Sequence, residues 1–161
     1  MTRALLLPLA LVAGAAAAQA QEIVRHPIPG SDFPISQAVE IPPEATLVYL
    51  SGAVPAVMDE AAEANTVEAY GDTADQTRSV LSRINDTLAS LDLSMSDVVK
   101  MQVFLVAPQG ESMDFAGFME GYTEFFGTEE QPNLPTRSVF EVAGLANPGW
   151  LVEIEVVAAR M

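Results

Sequence analysis

Apolar residues recur along this chain with two different periods, and those periods divide it into strands and helices. Thr46-Leu47-Val48-Tyr49-Leu50 is a β-branched and aromatic run that predicts a buried strand ending at Ser51-Gly52. Between Thr73 and Leu91, the residues Thr77, Leu81, Ile84, Leu88 and Leu91 are spaced by fours and threes, which puts them on one stripe of a helix. Val98–Val106 alternates instead. Val99, Met101, Val103 and Leu105 share one face of a long strand, opposite Lys100, Gln102 and Phe104. A second helix is predicted over Ser112–Phe126, where Phe115, Phe118, Met119, Tyr122, Phe125 and Phe126 form an aromatic stripe, with Gly127 as its stop. Helices bury such stripes routinely, so it reads as core packing and not as a cofactor box.

Two further strands follow, Arg137–Val142 and Trp150–Ala159, separated by Asn147-Pro148-Gly149. In the second, Val152, Ile154 and Val156 face one way while Glu153, Glu155 and Val157 face the other. Five prolines in residues 22–45 forbid a long helix there and leave short extended pieces at Glu22–His26 and Gln37–Ile41. Pro55 to Thr73 is acidic and Ala-rich, a loop with a helical turn. The order β-β-α-β-α-β-β predicts an α+β fold, with the two amphipathic helices covering one face of a sheet.

Met1–Ala20 lies outside these patterns. A charged start at Arg3, an apolar stretch of about a dozen residues and the small-residue ending Ala18-Gln19-Ala20 describe a secretory signal peptide cleaved near Ala20, too short to span a membrane. The expected mature protein is therefore periplasmic or secreted, with no membrane attachment once the signal is cut. Length then matters: 161 residues less that signal is one domain. The net charge of −15, from 22 Asp and Glu against 7 Lys and Arg, repels phosphate backbones and argues against nucleic-acid binding. With no cysteine there is no disulfide, thiolate nucleophile or thiolate metal site, and the single histidine, His26, cannot build a metal cluster.

Few residues are left to carry chemistry. Arg137, after Pro135-Thr136 at the start of a mostly apolar strand, offers a planar fork suited to a substrate carboxylate. The alternative is a structural ion pair with Glu141, Glu153 or Glu155. Glu153 is suited to orienting or activating a water, or is a solvated position or a partner of Lys100. Ser51-Gly52 offers a hydroxyl and bare backbone N–H groups to an anion, or simply ends its strand. His26 reads as a surface residue. Asn85-Asp86-Thr87 fits the glycosylation pattern but falls inside a predicted helix.

Several stretches, in order, resemble the RidA/YjgF family of small imine deaminases: Pro34-Ile35-Ser36-Gln37-Ala38-Val39, Leu50-Ser51-Gly52-Ala53-Val54-Pro55, Gln76-Thr77-Arg78, Asp97-Val98-Val99-Lys100, Val103-Phe104-Leu105, Tyr122-Thr123-Glu124-Phe125-Phe126, Pro135-Thr136-Arg137-Ser138 and Val152-Glu153-Ile154-Glu155. The resemblance spans about residues 34–159 and divides the chain into a signal (1–20), a lead segment (21–33) and a RidA-like domain (34–161). It implies a chorismate-mutase-like α+β fold with a mixed sheet, assembled as a homotrimer with clefts between subunits. It also implies hydrolysis of 2-imino or enamine acids to 2-keto acids and ammonia, with no cofactor and no metal.

By the same resemblance, Arg137 binds the substrate carboxylate and Glu153 positions the water. Ser51 and Gly52 line the pocket, and Val139 falls where a backbone N–H faces the ligand. Three positions depart from the family pattern: Ile35 replaces a tyrosine, Met119 an asparagine and Val139 a frequent cysteine. The loop from Pro55 to Gln76 is also long. Ile35 and Met119 imply a more apolar pocket and a bulkier or less polar substrate, or weak activity. The remaining readings are a non-catalytic trimeric binder of small carboxylates and a holdase-like protective protein.

Overall fold

The computed structural model describes residues 22–161 except Gln109, so the predicted signal lies outside the described residues. Six strands form two sheets. Strands β1 (Val24–Pro27) and β2 (Ser36–Glu40) make an antiparallel pair, and the main sheet has the order β3-β6-β4-β5. Its members are β3 (Thr46–Tyr49), β4 (Val98–Val106), β5 (Thr136–Val142) and β6 (Val152–Arg160). β4 and β5 run parallel while the β3–β6 and β4–β6 pairs are antiparallel, so the sheet is mixed.

Three α-helices, α1 (Val67–Tyr70), α2 (Thr73–Ser90) and α3 (Phe115–Tyr122), and one 3-10 turn at Met95–Asp97 are described. None is long and apolar enough to cross a membrane. Asp72 caps α2 by accepting from the Asp75 N–H at 2.9 Å, and Asp114 caps α3 by accepting from the Gly117 N–H at 2.8 Å. Val80, Leu81, Ile84 and Leu88 of α2 pack with Phe118 and Tyr122 of α3 onto Met101, Val103, Leu105, Ile154 and Val156 of the sheet. The fold is thus α+β with two principal helices on one face of the sheet.

Gln76 ties this layer together. Its side-chain N–H groups donate to the carbonyls of Gly71 and Gly149 at 3.0 and 2.9 Å, and its oxygen accepts from the Leu151 N–H at 2.7 Å. A fully buried amide with its partners satisfied fixes where α2 begins relative to β6.

Three expectations change in detail. Leu91 caps the C-terminus of α2 and is 39% exposed, so the buried stripe ends at Leu88. The helix expected over Ser112–Phe126 is only Phe115–Tyr122; beyond it, turns with Phe125 and Phe126 N–H groups bonded to the Tyr122 carbonyl still bury Phe126. The strand at Thr46 forms, but it is an edge strand and mostly exposed, with Tyr49 at 74%. Leu47 and Tyr49 lie on the face away from the helices, where they share a cleft with Val39 and Ile41. On the same face Phe104 and Phe140 stack with ring centroids 6.2 Å apart.

Candidate active site

The first group of candidate residues gathers at the start of β5. In the parallel register Arg137 lies opposite Met101, a fully buried core residue, so its side chain projects on the helix-covered face. There the guanidinium carbon sits 4.2 Å from the ring centre of Tyr122, 5.0 Å from Phe118, 5.3 Å from Phe33 and 6.0 Å from Phe115. Nη2 is 3.2 Å from the Met119 sulfur. Nη1 is buried and no protein group accepts its hydrogens.

The ion pair considered for Arg137 does not form. The ion pairs among the described residues involve His26 with Glu40, and Arg78 with Asp75, Glu120 and Glu124. Glu141 instead accepts from the Met113 N–H at 3.2 Å, and Glu153 and Glu155 belong to the other face of the sheet. Aromatic faces stabilise the cation while leaving its donors unneutralised. Burial lowers the Arg137 pKa, opposed by Tyr122, yet a guanidinium stays protonated at neutral pH. Burial in turn pushes the Tyr122 phenol up to about 12, against the pull of Arg137.

Beside Arg137 lies a cavity of about 440 Å³, lined among others by Ile28, Ile35 and Met101. The turn that carries Ile35 is fastened on both sides. Tyr122 Oη donates to the Pro34 carbonyl at 2.8 Å, while the Ser36 N–H and Oγ donate to the carbonyls of Pro135 and Leu134 at 2.9 and 2.7 Å. Val139 lies two residues beyond Arg137 on the same face and packs against the core.

Glu153 belongs to a second group. It pairs in register with Phe104 and faces away from the helices. An isolated bridge from Ala53 to Ile154 draws the Ser51-Gly52 corner alongside it. The approach is close: a Cβ on Gly52 would collide with Glu153 Oε1, the movable end of that side chain. Ser51 and Gly52 also line a cleft of about 380 Å³ with Tyr49 and Arg83. The alternative pairing of Glu153 with Lys100 is absent among the described ion pairs.

Within one chain, then, Arg137, Ile35, Met119 and Val139 come together, and so do Ser51, Gly52 and Glu153. The two groups do not meet, because Arg137 and Glu153 project from opposite faces of the sheet with β4 between their strands. The aromatic cage around Arg137 was missed in the sequence as a functional feature. Phe115, Phe118 and Tyr122 have the spacing of one helix face, which signals burial but not what is buried against them. His26, expected at the surface, is half-exposed on β1 and pairs with Glu40 at 2.8 Å. No cluster of three or more His, Cys, Asp or Glu side chains is placed to hold a metal among the described residues.

Comparison with known proteins gives this geometry its context. The family described as Endoribonuclease L-PSP matches residues 29–160. A protein of Escherichia coli (strain K12) that carries the name reactive intermediate deaminase TdcF is 34% identical over 132 residues, covering 82% of this chain and 91% of that protein. The 3-aminoacrylate deaminase RutC of Acinetobacter baylyi is 33% identical over 129 residues, or 80% of this chain and 91% of that protein. Among solved structures, Escherichia coli TdcF with bound serine matches with a TM-score of 0.56 and 30% identity, over 88% of this chain and 100% of that one. Rv2704 of Mycobacterium tuberculosis, a member of the YjgF/YER057c/UK114 family, matches with a TM-score of 0.52 and 28% identity, over 85% and 98% of the two chains. The chain belongs to this family, the Endoribonuclease L-PSP or RidA/YjgF proteins.

Proposed function

We propose that this protein hydrolyses reactive 2-imino and enamine acids to 2-keto acids and ammonia, in clefts between the subunits of a homotrimer. The observation that carries this reading is Arg137: a buried cation with an unpaired Nη1, in a protein with 22 acidic side chains, none of which neutralises it. Such a group is prepared for an anion from outside, and a planar carboxylate fits its fork. The deaminase names of the two relatives support the chemistry at the level of the family. The net charge of −15 disfavours an RNA substrate.

In this scheme an enamine first tautomerises to the imine, whose protonated nitrogen makes C2 electrophilic. Glu153 of one subunit holds a water and takes its proton as the oxygen adds to C2. Glu153 returns that proton to the carbinolamine nitrogen, the C–N bond breaks with its electron pair leaving on ammonia, and the hydroxyl proton passes to solvent as the carbonyl forms. Arg137 of the neighbouring subunit keeps the carboxylate fixed throughout, so the protein contributes mainly orientation and the relay of one proton. Ser51, Gly52 and the backbone at Val139 complete the walls. A second copy is required because no single chain brings Arg137 and Glu153 to one place, and the exposed aromatic rings of Tyr49 and Phe140 on the sheet face away from the helices give copies a surface to share. We place the mature protein in the periplasm or outside the cell, on the signal pattern of Met1–Ala20.

Non-catalytic carboxylate binding is the second reading, favoured by Ile35 and Met119, apolar residues at positions where the family resemblance implies polar ones. One experiment separates the two. Imino acids made in situ by an amino-acid oxidase are trapped with semicarbazide, with and without the protein. The deaminase reading expects less semicarbazone with the wild type, and a loss of that effect of about a hundredfold in Arg137→Ala, the scale of removing a charge-stabilising donor. Imine loss that Arg137→Ala leaves unchanged rejects the site; keto-acid binding without turnover establishes the second reading.

A further inference from the structure

We infer that Phe33, together with Ile28 and Ile35, makes the Arg137 site selective for 2-imino acids with large apolar side chains. The inference rests on the reading of Arg137 as a carboxylate clamp. Once the carboxylate is fixed on the guanidinium, the substrate side chain must lie against whatever surrounds that cation. Three neighbouring surfaces are apolar. Phe33 places its ring 5.3 Å from the guanidinium carbon and remains 40% exposed, so part of the ring has no partner in its own chain. Ile28 and Ile35 line the adjoining cavity of about 440 Å³.

These walls are held in place rather than adaptable. Tyr122 holds the Pro34 carbonyl on one flank and Ser36 is bonded to Leu134 and Pro135 on the other, so the turn from Phe33 to Ser36 is fixed against the start of β5. Two of the cavity's hydroxyls are occupied, Ser36 Oγ donating to the Leu134 carbonyl at 2.7 Å and Thr136 Oγ1 to that of Val99 at 3.2 Å, while Ser138 and Gln37 line it as exposed polar groups. The thioether of Met119 fills the space at Nη2 without offering a strong acceptor. A substrate as small as 2-iminopropanoate leaves the apolar walls uncovered, whereas an isobutyl or benzyl side chain removes them from water.

The competing feature is Lys100, which also lines the cavity and would favour a second carboxylate at the far end of the substrate. It lies opposite Thr136 in the parallel register, on the face away from the helices, and the overall charge of −15 repels a dianion.

The test measures dissociation constants of the full mature protein for four 2-keto acids by calorimetry, alongside turnover of the matching imines. The probes are pyruvate, 4-methyl-2-oxopentanoate, phenylpyruvate and 2-oxoglutarate. The expected result is that 4-methyl-2-oxopentanoate and phenylpyruvate bind at least about tenfold more tightly than pyruvate, the discrimination an apolar pocket commonly achieves. Phe33→Ala and Ile35→Ser each reduce that ratio by about threefold or more. A wild-type ratio near one, or tightest binding of 2-oxoglutarate, overturns the inference without needing any variant. So does a ratio that neither substitution moves. The selectivity and the activity fail separately: selective binding without imine turnover rejects the deaminase reading alone, and equal turnover of small and bulky imines rejects the selectivity alone.

Discussion

Tyr122 meets Arg137 with its ring and the Pro34 carbonyl with its hydroxyl, and burial raises its pKa to about 12. The sign of the consequence follows from an unfolded value near 10. The unfolded chain gives up this proton first, so the stability is fully present below about pH 10 and is lost as pH rises through about 12, to the extent of about 3 kcal/mol. Urea denaturation between pH 9 and pH 12 checks it: Tyr122→Phe flattens that part of the decline, and costs about 1 kcal/mol at pH 7 for the lost hydrogen bond. Gly52 permits a different test. In Gly52→Ala the new Cβ displaces the Glu153 carboxylate, the free end of a flexible side chain, so folding changes little. The expected outcome is a fall in kcat of about tenfold, the lower range for a misplaced proton-transfer group, with a smaller change in KM. Arg137 stood out in the sequence as a scarce cation at the start of a strand, but alternation did not separate Glu153 from Glu155, and the roles of Arg137 and Glu153 came from the family resemblance. Phe33 was not legible, because a lone aromatic in a proline-rich turn has no period to reveal its partner.

Helices α2 and α3 cross where Gly121 meets Thr77. A Cβ on Gly121 would lie 2.8 Å from the Thr77 Cβ and 3.0 Å from the Ala74 carbonyl oxygen, neither of which is a free side-chain end. Gly121→Ala therefore sets overpacking of about 1–3 kcal/mol against a helix-propensity gain of about 1 kcal/mol. A net loss of stability is expected, read as a lower melting temperature by circular dichroism. Element positions were largely legible. β4 occupies the predicted Val98–Val106, because Val99-Lys100-Met101-Gln102-Val103 alternates and the apolar residues flanking it continue the strand. The span of α3 was less so. Apolar spacing continues past Tyr122 through turns that still bury Phe126, and periodicity does not distinguish a helix from a turn that keeps its side chains inward.

For the whole molecule, the decisive arrangement is that one sheet separates Arg137 from Glu153. If the catalytic cleft is shared between subunits, two inactive variants should repair each other. Arg137→Ala and Glu153→Ala, co-expressed and assembled at random, are expected to recover about a quarter of wild-type activity, because a quarter of the shared clefts receive both intact residues. Each variant alone stays inactive. No recovery in verified mixed trimers counts against the shared cleft, and native mass spectrometry establishes the subunit number and the mixing.

Pattern and residue type along the chain were enough for the α+β class, the boundaries of β4, the apolar stripe of α2 and the chemical types available for a site. These depend on local period and residue type, which need no knowledge of distant neighbours. The packing of the strands made Thr46–Tyr49 an exposed edge, caged Arg137 with aromatic rings instead of pairing it with a carboxylate, and turned Glu153 to the other face. Each of those depends on which strand lies beside which. The parallel β4–β5 register sends Arg137 toward α3, while the antiparallel β4–β6 register turns Glu153 away from it.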